Sequence, residues 1–101
     1  MTSSYSFRAE LWHYPGEAGW HFLTLPADVA GELREESAAV RKGFGSVKVT
    51  AEIGGYAWQT SVFPDSKSGT YLLPVKKAVR DAVRISAGDD VAVQLEIQPG
   101  G

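Results

Sequence analysis

Between positions 5 and 13 of this chain apolar and polar residues alternate. Tyr5, Phe7, Ala9 and Leu11 fall on one side and Ser6, Arg8, Glu10 and Trp12 on the other, which predicts a half-buried strand. Pro15, Gly16 and Gly19 break the pattern, and Trp20 to Leu25 restarts it as a short second strand. Pro26 suits the first position of a helix, where its missing N–H has no intrahelical partner to lose, and Asp28 follows in the turn where the helix dipole favours an anion. A helix is expected from about Ala27 to Ser37, with Val29, Ala30 and Leu33 inward and Glu32, Arg34 and Glu35 toward solvent. Gly43-Phe44-Gly45, after Arg41-Lys42, reads as a flexible turn too short to be a phosphate loop.

Residues 46–53 and 56–63 read as a hairpin around Gly54-Gly55, a dipeptide that supplies the positive φ angles of a two-residue turn. That loop sets Ile53 opposite Tyr56, Ala51 opposite Trp58, Val49 opposite Thr60 and Val47 opposite Val62, and leaves Lys48, Glu52, Gln59 and Ser61 on the other face. A loop (Pro64 to Gly69), a short strand (Thr70 to Leu73), a proline and a helix from about Val75 to Arg84 come next. In that helix Val75, Ala78, Val79, Ala82 and Val83 recur at helical spacing. Gly88-Asp89 turns into a last strand with Val91, Val93, Leu95 and Ile97 on one face.

The grammar of strand, proline, helix, glycine and alternating strand thus occurs twice. Leu25-Pro26 matches Leu73-Pro74 at an offset of 48, and Val47, Val49, Glu52 and Ile53 match Val91, Val93, Glu96 and Ile97 at an offset of 44. The chain reads as a duplication, with one copy over about 5–53 and the other over about 56–98. Neither copy can bury its own apolar strand face. The fold expected is therefore mainly β with two short α-helices, in which a duplicated β-α-β unit closes into a small split or pseudo β-barrel capped by the helices.

Composition narrows the function. At 101 residues, 44% hydrophobic and 22% charged, the chain has the size and balance of one globular domain. It has no cysteine, which removes disulfides, zinc-thiolate sites and cysteine nucleophiles and makes a reducing, cytoplasmic compartment the expectation. No signal-like start and no membrane-spanning apolar run is visible. A net charge of -2 weighs against nucleic acid as a partner while leaving room for a local basic face.

Such a face is present on the second helix, where Lys76, Arg80 and Arg84 fall at i, i+4 and i+8 with Lys77 beside them. Lys76 and Lys77 lie in the first turn, where the dipole disfavours cations, so a local rule is broken there. A solvated face with Lys77 paired to Asp81 is the plainer reading. Trp12 falls by parity with the polar residues of its strand, which suits a groove, a subunit interface or a second small core under the first helix. Trp20, Trp58, Tyr56 and Tyr71 read first as core aromatics. His13 and His21 flank one loop, with Glu17 between them, and do not make a zinc site, which needs three protein ligands. No nucleophile elbow accompanies them, and Glu10, Glu17 and Glu52 are the remaining acid/base candidates.

Three features together resemble the small bacterial and archaeal domains called domain of unknown function 1905. They are Gly19-Trp20 with Leu25-Pro26, the hairpin with Trp58, and the closing order Leu73-Pro74, Arg80, Gly88-Asp89, Val91. The resemblance covers nearly the whole chain and implies a helix-capped split or pseudo-barrel with no established activity. Some members look like the N-terminal partner of a domain associated with bacteriocin protection. The closing quarter alone also looks like the looped hinge of AbrB-type transcription regulators and antitoxins.

The leading expectation is a non-catalytic binding or interaction module without a cofactor or metal. Its partner would be a small ligand or a protein, with a homodimer as one arrangement. The ligand-binding candidates are Trp12, Trp20, Lys76, Lys77, Arg80 and Arg84. An AbrB-like DNA-binding regulator is the alternative, and a small enzyme of unknown reaction the third reading.

Overall fold

In the computed structural model, residues 4–16, 19–38 and 45–98 are described. The Gly43-Phe44-Gly45 turn therefore falls outside the described residues except for Gly45, and so does Glu17. The elements run β1 (Ser4–Glu10), β2 (Trp12–His13), β3 (His21–Thr24), α1 (Ala27–Glu36), β4 (Val47–Ile53), β5 (Tyr56–Asp65), β6 (Thr70–Pro74), α2 (Lys77–Val83) and β7 (Asp90–Ile97).

The strands join in the order β1-β7-β4-β5-β6-β3-β2, each neighbouring pair antiparallel. β1 and β2 stand at opposite ends of that order, yet Leu11 alone separates them in sequence. One stretch of chain therefore supplies both margins, and the sheet curls into a barrel-like half cylinder.

The single strand expected over 5–13 is divided at Leu11 by two backbone hydrogen bonds to the turn before β7. The Leu11 N–H donates to the Asp89 carbonyl at 2.9 Å, and the Leu11 carbonyl accepts from the Gly88 N–H at 2.7 Å. Pairing with β7 ends there, and Trp12 and His13 turn to Phe22 and His21 of β3. β5 changes partners in the same way: Tyr56 to Val62 face β4, and Phe63 to Asp65 face β6. Pro64 and Asp65, expected in a loop, belong to the strand because they pair with Tyr71 and Thr70 of β6 and the Gly69 N–H closes the turn on the Asp65 carbonyl at 2.9 Å.

The hairpin register is the one the glycine pair predicts, from Ile53↔Tyr56 to Val47↔Val62, with φ of 57° at Gly54 and 84° at Gly55. Thr24 stands opposite Leu72 across β3 and β6, and Ala51 opposite Leu95 across β4 and β7. The concave side collects Tyr5, Phe7, Val47, Val49, Ala51, Ile53, Trp58, Val62, Val91, Val93 and Leu95, all buried. Val29, Ala30 and Leu33 of α1 and Val79 of α2 add to the same core, as do Leu23, Leu25, Tyr71 and Leu73.

α1 matches its expected span to within a residue. Pro26 sits just before the first turn, and its carbonyl accepts the Ala30 N–H at 2.9 Å. α2 is shorter than expected. Pro74 ends β6, opposite Phe22, so Val75 and Lys76 are spent as a connection and the first helical residue is Lys77. The helix stops at Arg84, whose φ of 59° is left-handed, so Arg84 is its cap rather than the third member of a basic line. Ala78 and Ala82 are exposed. Val75 and Val79 carry the burial, with Val83 half-buried, because so short a helix rests on one edge. No helix among the described residues is long and apolar enough to cross a membrane.

Candidate functional site

The β6–α2 connection, the start of β3 and the face of β4 and β5 opposite Val47, Val49 and Val62 enclose an open groove of about 920 Å³. One wall comes from Gly19, Trp20 and His21; the second from Pro74, Val75, Lys76, Lys77 and Arg80; the third from Lys48, Gln59, Ser61 and Phe63. Trp58, Thr60 and Gln98 complete it. The volume lies within the usual range for small-molecule sites.

Backbone hydrogen bonds hold these walls together. The Val75 N–H donates to the His21 carbonyl at 2.9 Å, which ties the approach to α2 to the first residue of β3. The Tyr14 N–H donates to the Trp20 carbonyl at 2.8 Å and closes the intervening loop, with Gly19 at a φ of 69° that favours glycine. On the remaining side the Gln98 N–H donates to the Lys48 carbonyl at 3.0 Å.

The charge of the groove is one-sided. Lys48, Lys76, Lys77 and Arg80 line it, and none of its described lining residues is acidic, in a chain whose net charge is -2. Lys77 is shared with Asp81, its Nζ 2.7 Å from the carboxylate, and the Asp81 pKa is lowered by that hydrogen bond and by the charges of Lys77 and Arg80. Arg80 is differently placed. Its Nε donates to the Val75 carbonyl at 3.1 Å, which fixes a half-buried guanidinium over the β6–α2 connection. A fork held in this way loses less side-chain freedom when it meets an anion.

Trp20, expected in the core, is 53% exposed, whereas Trp58 and Tyr71 are buried. The reason is position: Trp20 precedes β3, next to Gly19, outside the strand pairings of the described residues. Phe22 lies parallel to it, with a 6° interplanar angle and ring centroids 5.9 Å apart. Tyr56, also expected in the core, is exposed at the hairpin end.

Of the six candidates read from the sequence, the fold brings Trp20, Lys76, Lys77 and Arg80 together. Trp12 and Arg84 do not line the groove. Trp12 is half-buried; its indole N–H donates to Thr24 Oγ1 at 2.9 Å, and its ring packs against Phe22, 5.3 Å away, and Tyr14, 6.2 Å away. Sequence reasoning did not assign Lys48, Gln59, Ser61 or Phe63 to a site. Hairpin parity already places them on one face, and Phe63 is an aromatic on that polar face, 45% exposed.

His13 and His21 face each other across β2 and β3 with ring centroids 4.8 Å apart, and the His21 Nδ1–H donates to the Gly19 carbonyl at 2.8 Å. Among the described residues no cluster of three metal-ligating side chains occurs.

The fold and the groove define a small, mainly β, barrel-like domain carrying two helices. The sequence model of the family described as Domain of unknown function (DUF1905) matches residues 7–95, and the chain belongs to that family. No activity is established for it. None of the curated proteins matches the chain.

Proposed function

We propose that this domain is a non-catalytic binding module whose site is the groove between Trp20, the β6–α2 connection and the outer residues of β4 and β5, and that its ligand is a small organic anion. The observation that carries this reading is the groove's charge. Four cationic side chains and two exposed aromatics line it, with no described acid, on a chain that is acidic overall.

A fluorescent aromatic sulfonate, 8-anilinonaphthalene-1-sulfonate, tests it. The reading expects saturable binding that Lys76→Glu with Arg80→Glu abolishes and Arg8→Glu, outside the groove, leaves unchanged. Equal binding by the doubly reversed protein would refute it.

We further infer that the domain arose by duplication, its two halves related by a local twofold. The register supports this. An antiparallel pair lying across a twofold sets equivalent residues opposite one another only at the axis, and one pair in each ladder has the required offset: Thr24 faces Leu72 at the Leu-Pro offset of 48, and Ala51 faces Leu95 at the strand offset of 44. Tyr5 faces Leu95 as Trp58 faces Ala51, and Trp12 faces Phe22 as Asp65 faces Thr70. Both comparisons give 53 as the offset of β1–β2 to β5.

A smaller groove of about 420 Å³, lined by Ser6, Phe7, Arg8, Glu52, Ala92 and neighbours, occupies the equivalent place. Ser6, Phe7 and Arg8 correspond to Gln59, Thr60 and Ser61, and Ala92 to Lys48. Its Glu52 and the Arg8–Asp90 ion pair, 2.6 Å long, leave it without the charge of the larger one.

A further inference from the structure

We infer that the groove is built for a phosphorylated aromatic ligand of mononucleotide size, one per chain, with its ring against Trp20 and its phosphate at Arg80 and Lys76. This rests on the groove being the anion site and adds to that reading the class of ligand. Three observations carry it.

The first is the Trp20 indole. It is held in orientation by the parallel Phe22 ring yet remains 53% exposed in the groove wall, so a flat ring can continue the stack that Phe22 begins. Stacking of this kind tolerates any base, because each presents a π face.

The second is the anion end. Arg80 Nε is committed to the Val75 carbonyl, so the guanidinium has a set direction, and Lys76 and Lys48 add charge from two other segments. Several cations supplied to one groove by separate segments suit a phosphate dianion better than a single carboxylate, and a planar guanidinium meets phosphate oxygens in a bidentate fork.

The third is the contrast between the two grooves. The equivalent site on the other half is about 420 Å³ against about 920 Å³, and its arginine is occupied by Asp90 at 2.6 Å. The adjoining helix differs too: α1 has Asp28 in its first turn and its basic residue, Arg34, in its last, whereas α2 begins at Lys77, with Lys76 just before it, and has no acid in its first turn. One half of a repeated scaffold has therefore acquired cations and an open aromatic, and the expected stoichiometry is a single ligand.

Calorimetric titration of the whole chain with AMP, ribose 5-phosphate and adenosine tests the inference. AMP is expected to bind one to one, about tenfold or more tighter than ribose 5-phosphate, a factor within the usual range for stacking one base, and tighter than adenosine, which lacks the phosphate. Trp20→Ala should lower AMP affinity to that of ribose 5-phosphate. Lys76→Gln, at an exposed position that does not endanger folding, and Arg80→Gln should each lower it severalfold.

Equal binding of AMP and ribose 5-phosphate would overturn the aromatic half while leaving an anion groove in place. Equal binding of AMP and adenosine would overturn the phosphate half. Two sites per chain, or AMP binding indifferent to Trp20 and Arg80, would overturn the location. If no heat appears with any of the three while the sulfonate still binds and still responds to charge reversal, the ligand class is wrong and the anion groove survives. Loss of both removes both.

Discussion

Leu11 is where the curled sheet closes, and truncating it to alanine probes that closure. The side chain is fully buried, and the residue's N–H and carbonyl bond Asp89 and Gly88 at 2.9 and 2.7 Å while its neighbours on either side pair with different strands. Leu11→Ala removes buried methyl and methylene groups at a point held from both directions, so the surroundings cannot collapse freely into the space. The cost should lie in the upper part of the usual range, about 3–5 kcal/mol. A domain of this size loses about 4–8 °C in Tm per kcal/mol, so the melting temperature should fall by roughly 12–40 °C. Urea denaturation at pH 7 with an unchanged m-value is the assay, joined by hydrogen exchange at the Leu11 and Gly88 amides, which should lose protection first. A loss below about 1 kcal/mol, or exchange that accelerates uniformly over the chain, would show that closure does not depend on this residue.

Three further outcomes follow from the same contacts. Trp12→Phe removes the bond to Thr24 Oγ1 and should cost about 1 kcal/mol in stability, while sulfonate binding stays within twofold because Trp12 does not line the groove; a larger loss of binding would put Trp12 back in the site. The Asp65 carboxyl is held below the usual carboxylate range by hydrogen bonds from the Ser68 hydroxyl, at 2.7 Å, and the Ser68 N–H, at 3.0 Å. A lowered folded-state pKa gives stability that is present above the unfolded value, near pH 4, and lost as pH falls through the folded one. Asp65→Asn should therefore be less stable than the parent at pH 7 and approach it at pH 2–3 in denaturant titrations; a gap that does not change with pH contradicts this. Gly55→Ala, at a φ of 84°, should destabilise the hairpin by about 1–2 kcal/mol without altering the groove, and thermal melts showing no loss would refute the strain argument.

Much of the fold was legible from alternation. The Gly54-Gly55 turn fixes a register that propagates to Val47↔Val62, and strand parity separates core from surface residues along β4, β7 and, apart from Tyr56 at the hairpin end, β5. Partner exchange was not legible. Alternation over 5–13 carries no mark of the change from β7 to β3 at Leu11, because the bonds that divide it come from Gly88 and Asp89, distant in sequence. The shortening of α2 had the same origin: Pro74 pairs with Phe22, a tertiary contact that outweighs the preference of proline for a first helical turn.

For the site, Lys76 and Lys77 were visible as a break in a local rule and Arg80 as part of their basic line, whereas Trp20, though a candidate, read first as a core aromatic. What sequence could not supply was the third wall. Lys48, Gln59, Ser61 and Phe63 look like an ordinary solvated strand face until α2 and Trp20 are brought beside them. Arg84 was misplaced because helical spacing was extended past the point where the chain turns left-handed.

The groove's occupancy is most directly tested by titrating isotopically labelled protein with AMP and following backbone amides and the tryptophan indoles by NMR. The account predicts saturable shifts at the Trp20 indole N–H and at the amides of Lys48, Ser61, Lys76 and Arg80, with Ser6, Arg8, Glu52 and Ala92 of the smaller groove unmoved. Shifts confined to the smaller groove, or spread evenly over both, would contradict it.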